Sequence, residues 1–504
     1  MTLAGSADSP NRICAGHTLT AVDADSAEEA ARAGEYQPDP RRWRALTVCL
    51  SAGFMTLLDV SIVNVALPSV RAGLEASPGQ LQWVLAGYSL AFGLVLVPAG
   101  RIGDARGRRS AFLTSLTLFV LTSGAAGLAP SAWWLVAARL AQGVSAGMLN
   151  PQTSGVNQDL FRGAERGRAF GRMGATIGLS TAVGPLAGGV ILALNSSEDG
   201  WRWVFLVNVP VGLVAMFLAW RLLPADRHAG GQERQENLDP IGAVLLGVAL
   251  LLVLLPLVQE RDMTGVLPWL LLPAGVAMAL VFLRWERWYV ARGCAPLVDP
   301  ALYRLPSFRF GSLLAAAYFA GFTSLFFVIA IFLQVGEDYT PLMSGLAVTP
   351  FALGSAFAAS FGGRAVTDAG RRIVIVGLAV VITGLAATDL AVALFDGNQS
   401  LIGWAIAVPL TVAGVGSGLV IAPNRTLTLA DVPVHRGGVA AGVLQVGQRI
   451  GAALGIASVG AVFFSVHAQA GSWAHGLQWS LVAAICFVVV ALALGIADYR
   501  RRSA

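Results

Sequence analysis

The chain contains no lysine: its lysine-plus-arginine total of 34 is entirely arginine. This excludes a P-loop ATPase, which needs a phosphate-binding lysine, and any pyridoxal or retinal Schiff base or Ser-Lys dyad. Charge is scarce as well, at 12% of 504 residues, against about 25% in a soluble domain. The five histidines (His17, His228, His435, His467 and His475) lie outside the long apolar runs, which argues against haem or zinc inside a membrane. The four cysteines (Cys14, Cys49, Cys294 and Cys486) are scattered and form no CxxC. Their spacing indicates neither a disulfide framework nor a metal site, so we expect no metal and no cofactor.

Apolar surface is abundant. Hydrophobic residues make up 56% of the chain, and the mean hydropathy is +0.68. A soluble enzyme of this length could not hide that much apolar surface in its core. The pI of about 9.3 fits either nucleic-acid binding or the positive-inside loops of a membrane protein; the placement of the arginines decides between them.

Residues 1 to about 40 are polar and have no apolar h-region, so they read as a disordered cytoplasmic tail and not a signal peptide. Beyond them, apolar runs long enough to cross a bilayer recur at 46–67, 81–100, 111–129, 133–153, 173–194, 202–222, 240–258, 266–285, 310–333, 343–361, 373–395, 402–423, 440–464 and 477–497. Those fourteen runs predict an all-α polytopic membrane protein. Arginine clusters fall where cytoplasmic loops should be. Arg41, Arg42 and Arg44 precede the first run, and Arg101, Arg106, Arg108 and Arg109 follow the second. Arg162, Arg166, Arg168 and Arg172 follow the fourth, Arg364, Arg371 and Arg372 the tenth, and Arg500, Arg501 and Arg502 end the chain. The outer loops hold only Arg71, Arg202 and Arg261, among acidic residues such as Glu198, Asp199, Glu260, Asp262, Glu337, Asp338 and Asp396. The alternation predicts an even number of spans with both termini cytoplasmic, and no nucleic-acid partner.

An internal repeat divides the chain. Gly100-Arg101, Asp104 and Gly107-Arg108-Arg109 reappear as Gly363-Arg364, Asp368 and Gly370-Arg371-Arg372, with the Asp shifted by one. Gly143, Gly147, Pro151, Asp159 and Gly184 match Gly414, Gly418, Pro423, Asp431 and Gly455. The expected organisation is a tail at 1–44, a six-helix bundle at 45–223, two linker helices with their loops at 224–306, a second six-helix bundle at 307–498 and a tail at 499–504. Parallel repeats imply a pseudo-two-fold axis along the membrane normal and a midplane cavity between the halves.

A few polar residues lie inside the runs. A carboxylate at Asp59 costs several kcal/mol in the first run unless it pairs, faces a wet cavity or takes a proton. Burial favours the neutral form, which suits a proton-coupling site. Arg139, in the fourth run, shares a helical face with Gln142, Gly143, Ala146, Gly147 and Asn150. A guanidinium there competes with a proton for Asp59, or else only braces the bundle. Gly178, Gly184, Pro185, Gly188 and Gly189 crowd the fifth run, permitting close approach and a bend. Asn64, Tyr88, Gln142, Asn150, Asp389, Gln445 and Arg449 are candidate cavity or substrate residues, with structural roles open for each. Trp133, Trp134, Trp201 and Trp203 sit at run edges and read as interface anchors.

These residues carry a resemblance. The chain from about 45 to 500 resembles the major facilitator superfamily, in its fourteen-span drug:proton antiporter branch (EmrB/QacA-like). Gly100 to Arg109 resembles the superfamily's inner-loop motif, and Leu58 to Pro68 the branch's first-span motif. Arg139 to Gly143 resembles the fourth-span motif linked to proton transfer, and Gly184 to Gly189 the fifth-span antiporter motif. Ile331 to Gln334 and Tyr339 to Gly345 are also similar to the branch. Ser180 stands where the antiporter motif often has glycine, and Ile102 where the loop motif has leucine.

The resemblance implies proton-driven efflux, by alternating access, of lipophilic drugs, antibiotics or toxic metabolites across a bacterial cytoplasmic membrane, with Asp59 and Arg139 in proton coupling. It further implies that Gly100, Arg101, Gly103, Asp104, Gly107, Arg108, Arg109 and Asp159 form an inner-loop charge relay latching the halves. The expected partners are a lipophilic small molecule, cationic or neutral, together with protons and the lipid bilayer, and the expected state is a monomer. A transporter of an endogenous metabolite, lipid or nutrient is the alternative. A membrane enzyme lacks a paired nucleophile and base, and a receptor lacks a sizeable soluble domain.

Overall fold

The computed structural model describes residues 39–195, 199–225, 239–258, 267–292 and 294–503. The expected tail up to residue 38, and Glu198, Glu260, Arg261 and Asp262 of the outer loops, lie outside the described residues.

Fourteen helical segments coincide with the fourteen apolar runs. They are α1 (Arg42–Leu74), α2 (Pro78–Arg106), α3 (Arg108–Gly127), α4 (Ala132–Leu160), α5 (Gly163–Leu194), α6 (Arg202–Leu222, interrupted at Val207), α7 (Pro240–Val258) and α8 (Leu267–Ala291). There follow α9 (Pro306–Ile331, extended by a π turn at Phe332–Gly336), α10 (Pro341–Ala369), α11 (Arg371–Phe395), α12 (Gln399–Thr428), α13 (Gly437–Ala470) and α14 (Trp473–Ser503). Among the described residues, ten of these are long and apolar enough to cross a membrane: all except α4, α5, α7 and α8. The polar side chains of α4 point inward, where Arg139, Gln142, Ser145, Gln152, Asn157 and Gln158 are all buried.

Local chemistry sets the helix ends, and it does so twice. Ser77 caps α2 by accepting from the Gln80 amide at 3.3 Å, with Pro78 following. Thr340 caps α10 by accepting from the Met343 amide at 3.3 Å, with Pro341 following. Proline in the first turn loses no helical hydrogen bond. The offset between Ser77 and Thr340 also relates Gly107 to Gly370. These two residues turn the repeated loops, with φ of 104° and 52°, a region that favours glycine.

The repeat also governs packing. A methyl group added at Gly143 or Gly147 of α4 would collide with the carbonyl oxygens of Tyr88 or Phe92 on α2. Added at Gly414 or Gly418 of α12, it would collide with those of Phe351 or Ser355 on α10. Tyr88 and Phe92 precede Phe351 and Ser355 by the offset that separates Ser77 from Thr340, so each copy of the repeat builds one backbone-to-backbone crossing. The two halves of the chain meet where α5 packs on α10 and α2 on α13, while α7, paired with α8, lies against α2 and α13.

One expectation needs correction. Trp201 is no interface anchor: it is fully buried, edge-on to Phe205 at 6.1 Å, whereas Trp133, Trp134 and Trp203 are exposed. α14 continues to Ser503, with Arg371 and Arg372 donating to Asp498 and Tyr499 near its end, and α1 starts at Arg42.

The crossings yield a prediction. Gly143→Val or Gly414→Val should destabilise the protein by about 1–3 kcal/mol, the usual cost of overpacking. Gly53→Val, where nothing lies within 4 Å of an added Cβ, should leave the thermal unfolding midpoint in detergent unchanged.

Candidate functional site

Asp59 and Arg139 meet in the interior. Both side chains are almost fully buried, and Arg139 Nη1 donates to Asp59 Oδ2 at 2.5 Å. Asp59 Oδ1 accepts from Asn208 Nδ2 at 2.7 Å and from Gln142 Nε2 at 3.1 Å. Arg139 also donates to Gln142 Oε1 at 2.6 Å and to the Val84 carbonyl at 3.2 Å. Ser123 completes the shell by accepting from Gln142 at 2.6 Å. The guanidinium lies over the Tyr88 ring, 4.2 Å from its centroid, and the Tyr88 hydroxyl donates to the Thr56 carbonyl at 3.3 Å.

Five helices therefore build this site: α1 brings Asp59, α2 Tyr88, α3 Ser123, α4 Arg139 and Gln142, and α6 Asn208. Every donor around Asp59 points at a carboxylate oxygen, which answers a charge that would otherwise cost several kcal/mol. Of the three ways to tolerate a carboxylate here, the structure contains pairing. The sequence reading missed Asn208 and Ser123, since no periodicity along α1 or α4 reveals neighbours on α6 and α3.

A second cluster lies where the arginine-rich loops converge. Arg108 Nη2 donates to Asp104 Oδ1 at 2.9 Å, and Arg108 Nη1 stands 3.0 Å from Asp159 Oδ1. Arg108 also reaches the Gly155 carbonyl and, at 2.7 Å, the Val434 carbonyl just before α13. Asp104 accepts from the backbone amides of Gly438 at 3.1 Å and Val439 at 2.9 Å. Its carboxylate thus caps the N-terminus of α13, where the helix dipole favours negative charge. Gly100 permits the approach, since a Cβ there would strike the Gly438 carbonyl, and Gly103 does the same against Gln152. Arg101 is buried, and Arg109 donates to the Trp220 carbonyl at 2.6 Å.

Further links cross between the chain halves at this face. Gln158 donates to the Gly437 carbonyl at 3.3 Å, Arg166 to the Ala430 carbonyl at 3.3 Å, and Arg425 to Ser154 Oγ. Gly167 and Gly171 of α5 abut Gly363 of α10. Further along α5, Gly184 and Gly188 lie against Ser61 and Ile62 of α1 instead, and Gly189 has open space around it. The side chain of Pro185 lies outside the described residues.

The second loop of the repeat is wired differently. Asp368 is exposed, and Arg371, at the position matching Arg108, donates to Asp498 on α14 at 2.6 Å. Arg371 also donates to Asn424, whose amide donates to the Gly311 carbonyl at 3.0 Å. The conserved geometry of the loop thus survives with a different acid.

The remaining candidates disperse. Tyr88 belongs to the ion-pair site and not to an open cavity, as does Gln142. Asn64 is exposed on α1, Asn150 is half-buried, and Asp389 is half-buried on α11 with no partner for Oδ1 among the described residues. Gln445 bonds back to the Ala441 carbonyl at 3.3 Å. Arg449 lies over Phe92, 4.4 Å from the ring centroid. An apolar pocket that the sequence reading missed lies between α5, α9, α10 and α12. Gly174 and Gly178 face Phe322, Phe326 and Phe351 there. Phe351 stands 5.8 Å from Phe322 and 5.1 Å from Phe326, centroid to centroid.

Comparison with known proteins agrees with this architecture. The family model described as Major Facilitator Superfamily matches residues 49–456. A probable actinorhodin transporter of Streptomyces coelicolor is 33% identical over 91% of this chain and 79% of its own. A puromycin resistance protein of Streptomyces alboniger is 36% identical over 88% of this chain and 85% of its own. A cephamycin export protein of Amycolatopsis lactamdurans is 32% identical over 86% and 87%. Among solved structures, a human organic anion transporter superposes with a TM-score of 0.64 at 17% identity, covering 91% of this chain and all of that one. A proton:xylose symporter superposes with a TM-score of 0.61 at 15% identity, over 91% and 95%; at such identities the likeness speaks for the fold. The chain is a multi-pass membrane transporter rather than an enzyme, and it belongs to the major facilitator superfamily.

Proposed function

We propose that this transporter is a fourteen-span, proton-coupled exporter of lipophilic antibiotics, drugs or toxic metabolites, acting as a monomer in a bacterial cytoplasmic membrane. In this reading α1–α6 and α9–α14 are two six-helix halves, α7 and α8 lie between them, and both termini and the arginine-rich face are cytoplasmic. The observation that carries it is the sealed Asp59–Arg139 pair, held by α1 and α4, two of the helices whose neighbours close the arginine-rich face. Relatives named for antibiotic transport, resistance or export support the direction.

The mechanism follows from what a proton does to that pair. A protonated Asp59 no longer answers the Arg139 charge, and its new O–H needs an acceptor such as Ser123 Oγ or Gln142 Oε1. Arg139 is then a buried unpaired cation, which the structure around it must change to satisfy. Arg139 and Asp159 lie on the same helix, twenty residues or about 30 Å apart. Tyr88 and Asp104 likewise share α2. The glycine crossings at Gly143 and Gly147 lock α2 to α4, so a shift at the ion pair moves both latch acids together. Opening the cytoplasmic face admits cargo. A proton entering from outside favours its release outward, and each inward charge contributes about 2.3 kcal/mol per 100 mV.

Two outcomes test this. Asp59→Asn should insert and fold but lose proton-driven export, by about tenfold or more, since roughly 1.4 kcal/mol of lost coupling already gives a factor of ten. The assay is dye and antibiotic accumulation with and without an uncoupler, with inside-out vesicles fixing the direction; export at the wild-type rate under an imposed pH gradient would remove Asp59 from coupling. Asp104→Asn removes charge-assisted bonds to Arg108 and the start of α13, worth about 1.5–3 kcal/mol each. Spin labels at 163 and 364, in a background with the native cysteines replaced, should report a larger open population on the arginine-rich face. An unchanged distance distribution would show that the latch does not depend on Asp104.

A further inference from the structure

Each arginine that the clusters above bury beside an acid is answered by it: Arg139 by Asp59, Arg108 by Asp104 and Asp159, and Arg371 by Asp498. Arg449 differs. It lies twelve residues into α13, about 18 Å along the helix from its start. It is half-buried and forms no ion pair among the described residues. α13 packs against α2, α4, α7, α9 and α14. The acids on those helices are Asp104, Asp159 and Asp498, all engaged by other arginines, while α7 and α9 contain none.

The surroundings of Arg449 are aromatic. Its guanidinium lies over Phe92, the Phe92 ring is 6.3 Å from that of Tyr88, and Tyr88 carries the Arg139 guanidinium on its face. A row of cation, ring, ring and cation therefore runs from α4 through α2 to α13. At one end the charge is neutralised by Asp59. At the other end it is not neutralised at all. A charge within an apolar span must pair or face a wet cavity, and a guanidinium stays charged.

We propose that Arg449 anchors an anion subsite. It takes the carboxylate, sulfonate or phenolate of a lipophilic aromatic acid, whose ring system lies against Phe92. A planar guanidinium fork matches an oxyanion, and the neighbouring rings supply apolar area. The assignment of this ligand as cargo rests on the exporter reading above, and it replaces the expectation of a cationic or neutral substrate.

The test uses full-length protein in nanodiscs of zwitterionic phosphatidylcholine, with fluorescein as the anionic probe and rhodamine 6G, on the same xanthene ring system, as the cationic one. Fluorescence anisotropy should give saturable fluorescein binding, weakened about tenfold in Arg449→Gln and by less in Arg449→Lys, which keeps the charge but not the planar fork. Rhodamine 6G binding should stay unchanged. In the wild type, which needs no variant to fold, 1-naphthoate should compete with fluorescein and 1-naphthylmethylamine should not. Absent fluorescein binding, equal loss of both probes in Arg449→Gln, or competition by the amine would each overturn the proposal. So would displacement of fluorescein by phosphatidylglycerol added to the nanodisc, which would assign the site to a lipid headgroup. Transport is read separately in vesicles. Binding that depends on Arg449 without movement under a pH gradient would defeat the exporter reading alone; pH-driven movement with binding indifferent to Arg449 would defeat the anion subsite alone.

Discussion

A bilayer core offers no water to a buried charge, so an ionised group inside it must be answered by the protein, a ligand or a wet cavity. Much of this architecture follows from that constraint. Asp59 is met by three donors from two helices, α4 and α6, Arg371 by an acid on α14, and Asp104 by both an arginine and a helix N-terminus. Removing one member of such a pair costs about 3–5 kcal/mol, because the other is left charged and buried. The answer to each charge therefore fixes which helices are neighbours. It also gives physical content to the exclusive use of arginine. Arg108 touches two carboxylates and two carbonyls from one position. A lysine ammonium, with a compact point charge on a flexible stem, has no such planar fork to hold four partners in fixed directions.

Close backbone approach is the second device, and it depends on the first. Two helices crossing at glycine lose the side-chain bulk that would otherwise separate them, and the gain is dispersion contact at short range. In α2–α4 the crossing lies between the ion pair and the Arg108 cluster, so the charged sites at its two ends share one rigid unit. In α10–α12 the crossing is repeated, with aromatic rings in place of the ion pair.

The positions of all fourteen helices were legible, because a run of about twenty apolar residues is a one-dimensional signal. Asp59 and Arg139 stood out as well, because a charge in an apolar run is conspicuous wherever it falls, and Asp104 and Arg108 stood out through the repeated loop. Partners were much less legible. Asn208 and Ser123 are ordinary polar residues at helix positions with no local mark of what they face. Asp498 stood within a few residues of the arginines that end the chain, and a stretch of that composition reads as solvated. Trp201 sat at a run edge next to Trp203, and only the packing against Phe205 separates a buried indole from an exposed one. The exposure of Asp368 shows the limit of reading a repeat: the loop's glycines recur because its backbone recurs, whereas the acid that satisfies the arginine came from elsewhere.

That divergence extends to the centre of the molecule. At the offset that relates Ser77 to Thr340 and Arg108 to Arg371, Tyr88 becomes Phe351 and Asp59 becomes Phe322. At the offset that relates Gly143 to Gly414, Arg139 becomes Leu410 and Gln142 becomes Ala413. Phe322 and Phe351 are in ring contact at 5.8 Å and border the apolar pocket, as Asp59 and Tyr88 border Arg139. One scaffold thus carries a hydrogen-bonded charge pair in its first copy and a wall of rings in its second. The two surfaces suit different tasks. Protonation changes the energy of a charge pair by kcal/mol and leaves a phenyl ring untouched, whereas a phenyl wall gains free energy from a lipophilic body of many shapes. Held in separate copies, the charge pair stays sealed and fully satisfied whatever lies against the rings, while the same glycine crossing supports both surfaces.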